Sequence, residues 1–140
     1  MNAQPRWLDD EEQQLWRLML AGFTKISRTI DDRLQAGGDI SSPEFSVLVA
    51  LSEAQDRTLR LRELCEELGW DRSRASHQVT RMEKRGLLTK KKCPGDARGV
   101  LVILTDQGMS HLEEAVPDHV ETVRRLIFDH LDADLSLIHI

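Results

Sequence analysis

At 140 residues, with 40% hydrophobic and 31% charged side chains, the chain is sized for one compact, helix-rich domain with a modest core. No apolar run approaches the roughly 20 residues that span a bilayer, and the start is acidic (Asp9, Asp10, Glu11, Glu12) where a signal peptide is basic and then apolar, so a cytoplasmic protein is expected. Two cysteines, Cys65 and Cys93, make neither a disulfide scaffold nor a zinc pair, and the net charge of −5 by itself argues against a polyanion partner.

Apolar residues at Leu8, Leu15, Met19, Phe23, Ile26, Ile30 and Leu34 recur at helical spacing and predict a long first helix stopped by Gly37 and Gly38. A helix over 8–34 is about 40 Å long at 1.5 Å per residue, more than one side of a small domain needs, which points to an arm packed on another chain. Ser41 with Glu44 three residues on resembles a capping box, and Pro43 suits a first turn. The second helix carries Phe45, Leu48, Val49 and Leu51 to Asp56. Leu61, Leu64, Cys65 and Leu68 line a short third helix closed by Gly69. Asp71 caps a fourth helix that buries Ala75, Val79 and Met82 and ends at Gly86. Strand composition follows over 87–93 and 100–104, with Pro94-Gly95-Asp96-Ala97-Arg98-Gly99 as the hairpin tip. Thr105 caps a fifth helix with a stripe at Leu112, Val116, Val120, Val123, Ile127 and Leu131, bent at Pro117. Residues 135–140 have no charge and no amphipathic repeat, so 132–140 read as an atypical tail, either truncated or a cloning or frame artefact.

Charge is not spread evenly over these elements. From Arg72 to Arg98 nine Lys/Arg face two acids, a local balance of +7, which leaves −12 for the rest of the chain. Helix, tight turn, basic helix and basic hairpin make a winged helix-turn-helix, which offers one helix to a DNA major groove and a hairpin to the flanking backbone or minor groove. If Ala75, Val79 and Met82 face inward, Ser73, His77, Thr80 and Lys84 point away at 100° per residue, flanked by Arg74, Ser76 and Arg81. Ser73, Arg74, Ser76 and His77 are the candidates for reading bases, with Arg74 able to hydrogen-bond guanine O6 and N7. Arg72, Thr80, Arg81, Lys84, Lys90, Lys91 and Lys92 are candidates for phosphates. Arg98 at the tip suits a narrow minor groove, and Asp96 orients the tip or pairs with Arg98. A merely solvated helix face, or lysines that block strand aggregation, is the plainer reading of each part. The three basic parts pointing the same way weigh against it.

Here the chain resembles the multiple-antibiotic-resistance regulator (MarR) family of bacterial transcription factors. The resemblance rests on the Leu61–Gly69 helix, on Ser73–Val79, on Arg81-Met82-Glu83-Lys84-Arg85-Gly86-Leu87, on Asp96-Ala97-Arg98, and on Leu104-Thr105-Asp106-Gln107-Gly108. It extends from Asp9 to Leu131. It implies a mainly α fold with a small β-hairpin, a DNA-binding lobe at 41–104, and dimerisation helices at 8–36 and 105–131. It also implies a homodimer on a pseudo-palindromic double-stranded operator, commonly a repressor released by a small phenolic or anionic ligand held between arm and lobe. The family has a further helix after about Leu131, where this chain has only 135–140.

Other chemistry is weaker. Cys65 reads as a buried structural thiol, while three lysines before Cys93 would favour its thiolate and allow a redox-sensing regulator. His111, His119, His130 and His139 make no metal set and read as surface residues. Trp16 and Phe23 suit core or dimer packing, or a ligand pocket. No nucleophile motif, phosphate-binding glycine loop or metal signature suggests an enzyme, and no cofactor is expected. A winged-helix module that meets an acidic protein is the rival of another class.

Overall fold

The computed structural model describes residues 3–131; the expected atypical tail and His139 lie outside them. Helix α1 runs over Asp10–Gly38, 29 residues, and so about 44 Å. Leu8 falls before it: Asp9 is the N-cap, accepting from the Glu12 amide at 2.8 Å while Glu12 accepts from the Asp9 amide at 3.1 Å. The expected stop at Gly37 and Gly38 is also displaced. Both glycines lie in the last helical turn, and Asp39 ends the helix in the left-handed region at φ 55°, a conformation that short polar side chains tolerate.

Helix α2, Ser42–Glu53, starts from the expected Ser41–Glu44 capping box. It stops short of Asp56, because Ala54 turns extended at φ −80° and ψ 154°, after which Asp56 and Arg57 take φ values of 55° and 53° in a short turn. The turn leads into β1, Thr58–Arg60, a strand that periodicity did not reveal. Three residues with only Leu59 buried carry no countable alternation; β1 exists because Leu59 pairs opposite Val102. Helices α3 (Leu61–Leu68) and α4 (Arg72–Lys84) follow, separated by Gly69 at φ 66° and by Asp71, whose carboxylate accepts from the Arg74 amide.

The wing is β2, Leu88–Cys93, and β3, Asp96–Leu104, so the expected six-residue tip contracts to Pro94-Gly95. The antiparallel sheet has the order β1-β3-β2. Lys92 pairs with Val100 and Cys93 with Asp96, leaving Ala97, Arg98 and Gly99 as a bulge in β3. Helix α5, Asp106–Leu126, opens at the expected Thr105 cap and holds Pro117 within it. It ends five residues before Leu131, with a single tight turn at Phe128–His130.

Leu48, Leu51, Leu64, Val79, Met82, Leu87, Leu88 and Val102 form the centre of the core, each at most 1% exposed. Two joints set the lobe's geometry. Thr105 Oγ1 donates to the Gly86 carbonyl at 2.6 Å, and Gly108 lies so near β2 that a Cβ there would be 2.0 Å from the Leu87 carbonyl oxygen. Arg85, at the end of α4, donates to the buried Glu44 of α2 and to the Asp39 carbonyl at 2.9 Å. It therefore leaves the cationic set counted along the sequence and becomes a clasp from the end of α4 to α2 and the end of α1.

The expected stripe of α1 is mostly uncovered. Only Leu34 is buried, whereas Leu15, Trp16, Leu18, Met19, Leu20 and Phe23 are all exposed. The C-terminal half of α1 lies along α5, where Arg33 and Asp118 pair at 2.6 Å. Val116, Val120, Phe128 and Leu131 continue the exposed apolar surface near that seam. Among the described residues, no helix is long and apolar enough to cross a membrane.

Candidate nucleic-acid interface

Helix α4 forms because Asp71 caps its first turn and because Ala75, Val79 and Met82 recur on one face; all three are buried, as the spacing required. Gln78 joins them at 6% exposure and accepts from Arg81 Nη2 at 2.8 Å. Burying that face turns the opposite one outward. Ser73, Arg74, Ser76 and His77 are all exposed, as are Arg72, Arg81 and Lys84. Arg74 rests over the Trp70 ring, 4.4 Å from its centroid, a cation–π contact that holds the guanidinium near the helix start without consuming its N–H groups.

The wing brings its lysines beside α4. Lys91 and Lys92 are exposed. Lys90 is half-buried: its Nζ donates to Thr80 Oγ1 at 3.0 Å and lies 3.9 Å from Glu83. These two predicted phosphate contacts are therefore tied to each other, and they brace the wing against α4. At the bulge, Asp96 Oδ1 accepts from the Arg98 backbone amide at 3.0 Å. The carboxylate thus shapes the tip through the main chain and leaves the exposed guanidinium free of that contact. Arg72 Nη2 reaches the Arg98 carbonyl at 3.4 Å, joining the start of α4 to the wing.

Two cations escaped sequence reasoning. Arg60 and Arg62 flank the start of α3 and line a cleft of about 160 Å³ together with Arg72, Asp96, Arg98 and Gly99. Four arginines from four separate elements, β1, α3, α4 and β3, meet there. Counting charge from Arg72 onward hid the first two; the Arg-Leu-Arg spacing at 60–62 was the available signal. Among the described residues, Arg60, Arg62, Arg72, Arg74, Arg81, Lys84, Lys91, Lys92 and Arg98 have no carboxylate within 4.0 Å in an ion pair. Nine unpaired cations on one supersecondary unit make a surface of concentrated positive potential, suited to phosphates.

The cysteine expectations shift. Cys93 is buried at 6% exposure, with its Cβ against Gly99, so its sulfur is shielded from water and from a soluble oxidant. Cys65 is half-buried, packed on the core's edge. His119 departs from a surface role. It is half-buried with its ring centroid 4.4 Å from that of Phe45, and its Nδ1 is shielded from water with no hydrogen-bond partner among the described residues. Burial pushes its pKa below the ordinary histidine value, opposed by the nearby Asp118 carboxylate. It borders a second cleft, of about 400 Å³, between α1, α2, α3 and α5, which neither Trp16 nor Phe23 lines. Among the described residues no His/Cys/Asp/Glu group is arranged to hold a metal ion.

Comparison with known proteins gives a consistent picture. The MarR family profile matches residues 39–99. The organic hydroperoxide resistance transcriptional regulator of Bacillus subtilis strain 168 is 33% identical over 108 residues, covering 75% of this chain and 69% of that one. The transcriptional repressor MprA of Escherichia coli strain K12 is 27% identical, covering 83% and 65% respectively. Sco3205, a regulator from Streptomyces coelicolor solved in complex with DNA, superposes with a TM-score of 0.93 at 38% identity, covering 97% of this chain and 85% of its own.

Proposed function

From the premise that this chain belongs to the MarR family of transcriptional regulators, we propose that it is a homodimeric repressor that binds a pseudo-palindromic double-stranded operator and is released by a small molecule. The observation that carries this reading is the set of exposed, unpaired cations on α4, the start of α3 and the wing, in a chain whose net charge is negative. The fold likeness to a regulator solved on DNA supports it, as does the likeness to a named repressor.

In this reading the two α4 helices of a dimer enter major grooves about 34 Å apart, one helical turn of DNA. Ser73, Arg74, Ser76 and His77 read bases. Arg72, Arg81, Lys84, Lys91 and Lys92 hold phosphates, joined by Arg60 and Arg62, while Thr80 and Lys90 brace the wing that carries them. Arg98 enters the minor groove, with Asp96 shaping the tip that carries it. Residues 8–36 and 105–131 supply the dimer contact, and the uncovered apolar side chains of α1 and α5 are what a second copy would bury.

The test is a salt series of duplex affinities for wild type, Arg74→Ala and Lys91→Ala over a panel of operator variants. Arg74→Ala should flatten preference at one base pair per half-site, a loss of about 1–3 kcal/mol of discrimination. Lys91→Ala should weaken every sequence alike and lower the salt slope by about 1. Identical behaviour of the two variants would sink the division of labour. Failure of wild type to bind duplex DNA in dilute buffer would sink the function.

A further inference from the structure

The cleft between arm and lobe has a chemistry of its own. Its floor is apolar: Leu34, Phe45 and Ala50 are buried, with Ile30, Val49 and Leu68 around them. Its volume of about 400 Å³ falls in the roughly 300–1,000 Å³ range of small-molecule sites. Every charged residue in its lining is acidic: Glu53 and Glu67, both exposed, with no lysine or arginine. The two hydroxyls are already committed as donors, Ser42 Oγ to Asp31 Oδ1 at 3.0 Å and Ser46 Oγ to the Ser42 carbonyl at 3.1 Å. The lining therefore offers hydrogen-bond acceptors and negative charge over an apolar floor. The shielded, unpartnered Nδ1 of His119 adds one more unmet polar group. Burial disfavours the imidazolium, so His119 brings little positive charge to the site.

From this juxtaposition we infer that the cleft takes a small cationic amphiphile, an apolar ring or chain carrying one protonated amine, and disfavours carboxylates. An anion would face Glu53 and Glu67 without a compensating cation. A neutral ligand of the same shape would gain the floor but not the rim. The inference rests on the ligand-release reading above for its regulatory meaning, though not for the binding event itself.

The test uses the full chain and three probes of one shape: naphthylmethylamine, naphthylmethanol and naphthoate, titrated calorimetrically without DNA. The amine should bind about tenfold or more tighter than the carboxylate, with the alcohol between them. Glu53→Gln and Glu67→Gln should each weaken amine binding about threefold, the scale of an exposed ion pair, and leave the alcohol unchanged. Both positions are exposed, so these variants keep the fold. Tighter binding of naphthoate than of the amine overturns the inference, as does amine binding indifferent to both substitutions. Absence of heat with all three probes at millimolar concentration overturns it as well. A duplex titration at saturating amine separates the two proposals: the expected binding pattern without loss of duplex affinity upholds the ligand class and refutes ligand release.

Discussion

Gly108→Ala tests the joint on which the wing is built. A methyl at this position would meet the Leu87 carbonyl oxygen at 2.0 Å, the Leu87 carbonyl carbon at 3.0 Å and Leu104 Cδ1 at 2.8 Å. Leu104 can rotate, but the carbonyl is main chain and accepts from the Thr105 amide at 3.3 Å. Relief requires that α5 retreat from Leu87 by about 1.4 Å, the shortfall from ordinary van der Waals contact near 3.4 Å. Overpacking of that kind costs about 1–3 kcal/mol, while alanine in a helix returns up to about 1 kcal/mol over glycine. Because the clash is with main chain, the upper end of the cost applies, and a net loss near 2 kcal/mol is expected, large beside the roughly 5–15 kcal/mol that holds a domain together. Gly37→Ala is the internal control, since its added methyl meets nothing within 4 Å inside helix α1. That substitution should stabilise by up to about 1 kcal/mol. Urea midpoints of wild type and the two variants decide the matter. Should Gly108→Ala match or exceed wild type, the close approach of α5 to Leu87 is wrong.

Three further outcomes follow from contacts already described. Glu44→Ala removes the buried partner of the half-buried Arg85, which keeps Asp39, and also breaks the α2 capping box, so a loss of about 2–3 kcal/mol should appear in denaturant titration. Because the folded state lowers the His119 pKa, the unfolded chain binds the extra proton first, and stability falls as pH drops below about 6.5. His119→Gln should narrow the gap between urea midpoints measured at about pH 7.5 and about pH 5.5; an unchanged gap refutes the assignment. Asp96→Ala frees the Arg98 amide and loosens the tip, so minor-groove footprinting should fade there while protection in the major groove persists.

Much of this architecture was readable from residue type and spacing. The caps at Ser41, Asp71 and Thr105 marked helix starts because each supplies an oxygen to an otherwise unpaired amide. The inward set Ala75, Val79 and Met82 then placed the outward set by angle alone. What escaped depended on partners distant in sequence. Strand β1 is a strand only because β3 lies beside it, and the bulge at Ala97–Gly99 is a matter of register that composition does not encode. Lys90 counted as a free cation until packing set Thr80 and Glu83 beside it. Arg60 and Arg62 met Arg72 and Arg98 only when β1 and the start of α3 folded beside the wing. His119, ordinary in its own segment, became a shielded base through Phe45, which lies 74 positions away in the chain.

The opening stretch of α1 has a thermodynamic corollary. Every residue from Asp10 to Ala21 is exposed, three turns of helix carrying Leu15, Trp16, Leu18, Met19 and Leu20 into water. A solitary helix of that length is marginal, and in the proposed dimer a second copy would supply its order. Were the chain such a dimer, coiling of these turns would obey mass action, and dilution alone would melt the arm while the lobe endures. Abundance of the protein in its host would thereby set how much of it is shaped to grip anything at all.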